Sequence, residues 1–334
     1  MTRLILIRLA AIPLSLFVIV TLCFALVTLI PGDPAVAILG SFATDESVAE
    51  LRAELGLDEP FLQSYFSYIG ATLQGDLGES FKTGRPVLDE VQTVFPNTLE
   101  LLIPSIIIAI VFGLGVGMVA AYYGHRLIGR LASRFISLLQ AIPVFIMGVL
   151  LIFFIYFIAS LAPAPTGRLS AAATNVPDGT GFLIIDTLVA GEWGLFGQAL
   201  WHVMLPALTL GICYSAYFAR TAQTTIGKAL RSEQAEFARA CGLPERTVLY
   251  YAWLDARTTL ITYGAVLFAI LLGGSTVTEV LFSWNGIGSW GYSGVLNVDL
   301  PVIRAFVLFA GAASLIIYLI LDCLVLWLDP RVSY

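Results

Sequence analysis

An all-α membrane protein with six transmembrane helices is the fold class this sequence predicts, and three observations carry the prediction. Of 334 residues, 58% are hydrophobic and 12% are charged. A soluble domain is about 45–50% apolar and about 25% charged. A soluble globular enzyme, a disordered chain and a disulfide scaffold are thereby excluded. Six apolar runs, over 9–30, 100–122, 136–160, 202–219, 260–281 and 304–327, each approach the roughly 20 residues that a bilayer requires. Each is expected to be a helix, because a helix satisfies its own backbone hydrogen bonds in lipid. Finally, twelve of the 17 Lys and Arg fall on one side if the N-terminus is cytoplasmic. The positive-inside rule then places both termini in the cytoplasm. The net charge of −6 argues against a nucleic-acid partner.

Taken in order, the first run follows Arg3 and Arg8 and is too long for a signal peptide, so it is expected to stay as a span. The outer segment 31–99 is expected to be a small helical insertion. Thr44-Asp45-Glu46-Ser47 offers an N-cap with acids in the first turn. Leu51, Leu55 and Leu57 give that helix an apolar stripe, Gly56 ends it and Pro60 prevents its continuation. A second helix is expected around Phe61–Leu73, then a turn over Gly75–Ser80. The domains read 1–30 for the first helix, 31–99 for the insertion, 100–327 for a five-helix core and 328–334 for a cytoplasmic tail. The second outer loop, from Pro163 to Gly197, is rich in Gly, Pro and Ala and reads as irregular.

Several chemistries are missing. The sequence has no G-x-x-x-x-G-K-[ST], no H-E-x-x-H and no G-x-S-x-G, so the chain shows no ATP site of its own and no catalytic motif. Gly113, Gly115 and Gly117 sit inside an apolar span and read as close helix packing. Cys23, Cys213, Cys241 and Cys323 show neither disulfide nor metal spacing, and His125 and His202 are too few for a His-based metal site. The spans carry almost no ionisable residue, which opposes an ion-coupled carrier and points to energy supplied by another subunit. Asp322, near the end of the last run, reads as an interfacial carboxylate pairing with Arg331 or a neighbouring chain.

The cytoplasmic loop 221–257 holds the strongest signal. A helix is expected from Gly227 to Gly242, with Ala229, Leu230, Phe237 and Ala240 roughly on one side. Gly242 fits a left-handed C-terminal cap and Pro244 opens the next helix. Ala238 and Ala240 beside Gly242 would let another backbone approach, and Phe237 would be the apolar anchor. On pattern alone, an amphipathic helix on the membrane surface is the alternative.

Ala238-Arg239-Ala240-Cys241-Gly242-Leu243, with Arg246 and Val248-Leu249, resembles the EAA loop of ATP-binding-cassette importer permeases. The chain as a whole resembles the B-type permease of the dipeptide, oligopeptide and nickel family. Other matching stretches are Arg3…Arg8 with Leu29–Pro34, Leu51–Leu57, Gly75–Val87, Leu205–Leu210, Val280–Gly288 and Asp322…Arg331. The resemblance implies a non-catalytic inner-membrane subunit of a bacterial importer, most simply of di- or oligopeptides. Nickel, a metal chelate or a sugar-like solute is the alternative within the class; an ion-driven carrier and a membrane scaffold are rivals outside it. It also implies a second homologous permease, two ATPase subunits that bind the ATP and Mg, and a periplasmic or lipid-anchored binding protein. Glu236, Phe237, Ala238, Arg239, Ala240, Cys241, Gly242 and Leu243 would form the segment that couples to an ATPase. Two departures stand out: position 236 is acidic, and no proline precedes Leu260.

Other positions stay open between two readings. Pro143 is either a hinge or a tolerated kink at a helix entry. Gly273, Gly274, Ser275, Thr276 and Thr278 either line the pathway or pack helices closely. Glu279 faces the mouth of the pathway or simply reaches water. Trp284 and Trp290 read as an interfacial aromatic belt, with Gly286 and Gly288 shaping the turn.

Overall fold

The computed structural model describes residues 2–27, 33–40, 43–54 and 58–328. Among them every regular element is helical, and the one extended pairing is an isolated bridge between Glu79 and Pro86. The expectation of an all-α chain holds. Four helices are long and apolar enough to cross a membrane: Val87–Tyr122 (α5), Trp193–Ala229 (α9), Glu245–Gly274 (α11) and the Leu300–Ile320 part of Leu300–Leu328 (α14). A bent pair, Leu127–Ala141 (α6) and the helix from Val144 to Ile158, makes a fifth if counted as one span. The N-terminal helix α1 covers Thr2–Val27; its described apolar stretch, Ala11–Ala25, is shorter than those spans.

The core is built on α5 against α9. A side chain at Gly113 would strike the Ser215 carbonyl at 2.7 Å, and one at Gly117 would meet the Ala219 carbonyl and Ala222 Cβ, both at 2.7 Å. The two backbones approach this closely because those positions are glycine, as the packing reading of Gly113 and Gly117 expected. Gly115 faces open space. Leu101, Leu102, Leu210, Leu267 and Leu271 close the centre from α5, α9 and α11.

Three boundaries differ from expectation. The second span begins at Val87, not near residue 100, and runs 36 residues, about 54 Å at 1.5 Å per residue. Pro96 and the polar run before residue 100 break the apolar pattern. Glu90, Asn97 and Glu100 are nevertheless buried, because they face other parts of the chain. The fourth span likewise extends to 37 residues. The third does not run over 136–160. Residues 136–141 finish α6, and the chain then turns by 100° into Val144–Leu151 (α7), which widens into a π-helical stretch over Ile152–Ile158. Pro143 causes the corner: the residue before a proline is pushed out of the helical region, and Ile142 sits at φ −87°, ψ 117°.

The insertion after α1 matches its expected helices and adds one. Asp33 accepts the Ala35 N–H and caps Pro34–Leu39 (α2), an element the sequence reading omitted. Thr44 caps Asp45–Glu54 (α3): its hydroxyl accepts the Ser47 N–H at 3.2 Å, and its own N–H donates to Ser47 Oγ at 2.9 Å. Phe61–Leu73 (α4) follows. Arg52 ties this insertion together through Asp33 and Asp58, at 2.8 and 2.9 Å. The expected roles of Leu55, Gly56 and Leu57, the Asp322 side chain and the 329–334 tail lie outside the described residues. The second outer loop is not irregular throughout. It forms Leu183–Val189 (α8) because Asp186 gathers the Thr180 and Gly181 N–H groups and the Thr180 hydroxyl. Burial opposes ionisation there, but these hydrogen bonds outweigh it and hold the Asp186 carboxyl below the usual range.

Candidate functional site

The loop 221–257 is mostly helix. Thr221 to Ala229 continues α9, and the chain breaks at Leu230–Ser232 before the short helix Glu233–Ala240 (α10). The unbroken helix expected from Gly227 to Gly242 is therefore corrected. Ser232 supplies the reason: its hydroxyl accepts the Ala235 N–H at 3.3 Å, an N-cap with Glu233 and Glu236 in the first turn.

The far end of α10 follows the expected glycine turn. Gly242 stands at φ +74°. Its N–H donates to the Arg239 carbonyl at 2.9 Å, and the Leu243 N–H donates to the Ala238 carbonyl at 3.1 Å. That pair of bonds is a Schellman closure, which favours glycine at the left-handed position. Pro244 then caps α11. Arg239 braces the turn: Nε donates to Glu245 at 2.9 Å and Nη1 to the Leu230 carbonyl at 2.9 Å. It thus joins α9, α10 and α11.

The faces differ from expectation. Ala229 and Leu230 are buried with Ala235, Ala238, Val248 and Ala252, but Phe237 and Ala240 point away. Phe237 is 72% exposed. Placing a helix break at Leu230–Ser232 rotates Phe237 off the side that Ala229 and Leu230 occupy. Small Ala235 and Ala238 let α10 lie close on α11, and the opposite surface presents Glu236, Phe237, Ala240, Cys241, Gly242 and Leu243, all exposed. This short helix exposes an aromatic ring and an open glycine turn. The missing proline near Leu260 leaves α11 as one continuous 30-residue helix.

The opposite end of α11, some 44 Å away at 1.5 Å per residue, is built otherwise. After Gly274 the chain turns through Ser275 into Thr276–Leu281 (α12), and Ile287–Leu296 (α13) follows. Glu279 is 0% exposed, so it does not reach water. Its Oε1 accepts the Thr98 and Ser275 hydroxyls at 2.8 and 3.1 Å, and Oε2 accepts the Ser289 N–H at 2.8 Å. A side chain at Gly286 would collide with Thr98 Oγ1 and with the Glu279 carboxyl, the latter at 2.6 Å. At Gly288, Thr276 Oγ1 would lie 2.5 Å away. These glycines shape the turn because the carboxylate occupies the space.

Trp284 corrects the aromatic-belt reading. It is 1% exposed and its Nε1 donates to the Asn97 carbonyl at 2.7 Å. Trp290 is half-buried and donates to Glu90 at 2.8 Å. Asn97 also donates to the Asn285 carbonyl at 2.9 Å. Arg168, from the second outer loop, pairs with Glu100 and bonds Asn97 and the Gly181 carbonyl. Thr98, Asn97, Glu100 and Arg168 were not singled out by sequence; apart from the Arg168–Gly181 bond, these contacts lie 68 to 189 residues apart, where no local pattern records them. Ser275 and Thr278 are buried like Glu279, Gly274 lies against the Tyr214 hydroxyl, and Gly273 is exposed. Pro143 is exposed at its corner, and Gly148 in the helix it opens lies against Leu281.

The whole chain is similar to known transport proteins. Residues 113–334 match the family described as binding-protein-dependent transport system inner membrane component, and residues 1–102 match that family's N-terminal model. A probable D,D-dipeptide transport system permease protein of Escherichia coli (strain K12) is 34% identical over 311 residues, 93% of this chain and 91% of the relative. A di/tripeptide transport system permease protein of Pseudomonas aeruginosa is 35% identical, over 96% of this chain and 95% of the relative. A glutathione transport system permease protein of Escherichia coli is 32% identical over the same shares. The chain belongs to the binding-protein-dependent transport system inner membrane component family, as the resemblance implied, and is a multi-pass protein of the cytoplasmic membrane.

Proposed function

We propose, with that membership as the premise, that this chain is a permease subunit of an ATP-driven importer of di- and oligopeptides. It forms half of the translocation pathway with a second permease and performs no covalent chemistry. Two ATPase subunits hold the ATP and Mg, and a binding protein delivers the peptide. In this reading α1 is a sixth span, both termini are cytoplasmic, and the Glu279 end faces outward.

The observation that carries the reading is full-length similarity to permeases whose names specify dipeptide, di/tripeptide and glutathione transport. All three cargoes are short peptides, which favours that class over nickel or a sugar-like solute. The exposed surface of α10 supports the coupling role. Phe237 and the open side of Gly242 enter a groove of the ATPase, Glu236 meets a basic partner there, and Arg239 transmits the motion by fixing α10 to α9 and α11. Such coupling acts through rigid packed elements that move between two arrangements. Pro143, Gly273, Gly274, Ser275, Thr278 and Glu279 belong to the parts that shift with it, Pro143 at a corner, Gly273 on an open face and the other four as packing residues, rather than as direct peptide ligands.

The test is uptake by proteoliposomes that contain this chain with its partner subunits and binding protein. Accumulation of a labelled tripeptide, competed by unlabelled di- and tripeptides, is the expected result. Accumulation of nickel or a sugar with no response to peptides contradicts the cargo.

A further inference from the structure

Helix α6 has three distinct faces. Gly129, Ile136 and Leu139 are buried, Ile136 against Ala120 and Ala219, and Ser133 accepts a hydrogen bond from Gln223 at 2.8 Å. This face fixes α6 on α5 and α9. A second face exposes Leu127, Ile128, Leu131, Phe135 and Leu138. Along the third run Arg126, Arg130 and Arg134, all exposed. These three are spaced by four residues, about 6 Å of helix rise per step. No Asp or Glu occurs between Tyr122 and Gln140, and among the described residues no carboxylate pairs with the three arginines. Arg126 lies 5.5 Å from the centre of the Tyr123 ring, which leaves its outer edge open.

Neither water nor hydrocarbon suits this helix. Five large apolar side chains would be exposed in water, and three guanidinium groups would be stranded in the bilayer core. A bilayer surface satisfies both rows at once, since acyl chains and phosphates lie side by side there. The 100° corner at Pro143 lets α6 lie across the direction of the helix that follows. The chain as a whole carries a net charge of −6, so this row is a local basic feature on an acidic protein.

We infer that α6 binds anionic phospholipids, with Arg126, Arg130 and Arg134 on the headgroup phosphates and the Leu127–Leu138 row in the acyl boundary. The inference rests on placement in a membrane and is independent of the peptide cargo. The test is native mass spectrometry of the full chain with its partner subunits, extracted from vesicles of equal phosphatidylglycerol and phosphatidylcholine. Each basic residue near an anionic surface is worth about fivefold in lipid affinity. The native complex is expected to retain phosphatidylglycerol over phosphatidylcholine by about fivefold or more. The triple variant Arg126→Gln, Arg130→Gln, Arg134→Gln is expected to lose that preference, and the corresponding triple lysine variant to keep it. If the triple glutamine variant does not insert, Arg130→Gln alone must lower the preference. Absence of a preference in the native complex overturns the inference. So does a preference unchanged by the glutamine substitutions, or one lost with lysine.

Discussion

The two ends of α11 are held in opposite ways. At the Glu279 end, side chains from distant segments converge on one buried carboxylate and one buried tryptophan. At the Phe237 end, one exposed arginine braces a short helix whose outer surface is exposed among the described residues. The first end is completed by this chain's own residues. The second is a short, well-capped helix with an exposed face. Under the proposed coupling role, the contrast separates residues whose loss destabilises the protein from residues whose loss uncouples it.

Substitutions can sharpen that division, beginning with the largest effect. Glu279→Ala leaves the Thr98 and Ser275 hydroxyls and the Ser289 N–H without their acceptor. Each orphaned buried donor costs about 1–3 kcal/mol, so a loss of about 3 kcal/mol or more is expected, read as a lower thermal midpoint in detergent and poor yield. Gly117→Val comes next. It drives a side chain into Ala219 and Ala222, at the cost of about 1–3 kcal/mol typical of overpacking. Gly115→Val, which meets open space, is the control and leaves the midpoint near that of the native protein. Gly242→Ala strains a backbone at φ +74° without a clash. About 1 kcal/mol is expected, seen as faster hydrogen exchange in 238–244 more than as global unfolding. Arg239→Ala removes an exposed ion pair worth under about 1 kcal/mol; the midpoint barely moves, while exchange rises across α10. A fall in midpoint for Arg239→Ala as large as that for Glu279→Ala would erase the distinction between the two ends.

The sequence makes one end far more legible than the other. Gly242 and Pro244 announce the turn because a left-handed cap and a helix-opening proline are local requirements. Thr44 marks α3 for the same kind of reason. The apolar runs locate the spans because lipid demands continuous hydrophobic helix. What stays hidden is decided by contacts between distant residues. Glu90, Asn97 and Glu100 look like the end of a span, yet they are buried against Trp290, Trp284 and Arg168. Trp284 looks interfacial by composition, and only its bond to Asn97 shows it to be interior. The pattern puts Phe237 on one side with Ala229 and Leu230, but the Ser232 cap sets the rotation of α10 and leaves Phe237 exposed while those two are buried.

The most direct measurement is ATP hydrolysis by the reconstituted importer, with Phe237→Ala and Gly242→Arg beside the native chain. Phe237 is exposed and Gly242 has open space around it. Phe237→Ala is expected to leave the thermal midpoint within about 0.5 kcal/mol of native stability, and both variants should insert normally. The account predicts that both lose binding-protein-stimulated hydrolysis by tenfold or more. Native hydrolysis and uptake in both variants would contradict it, because the face of α10 would then couple to no ATPase.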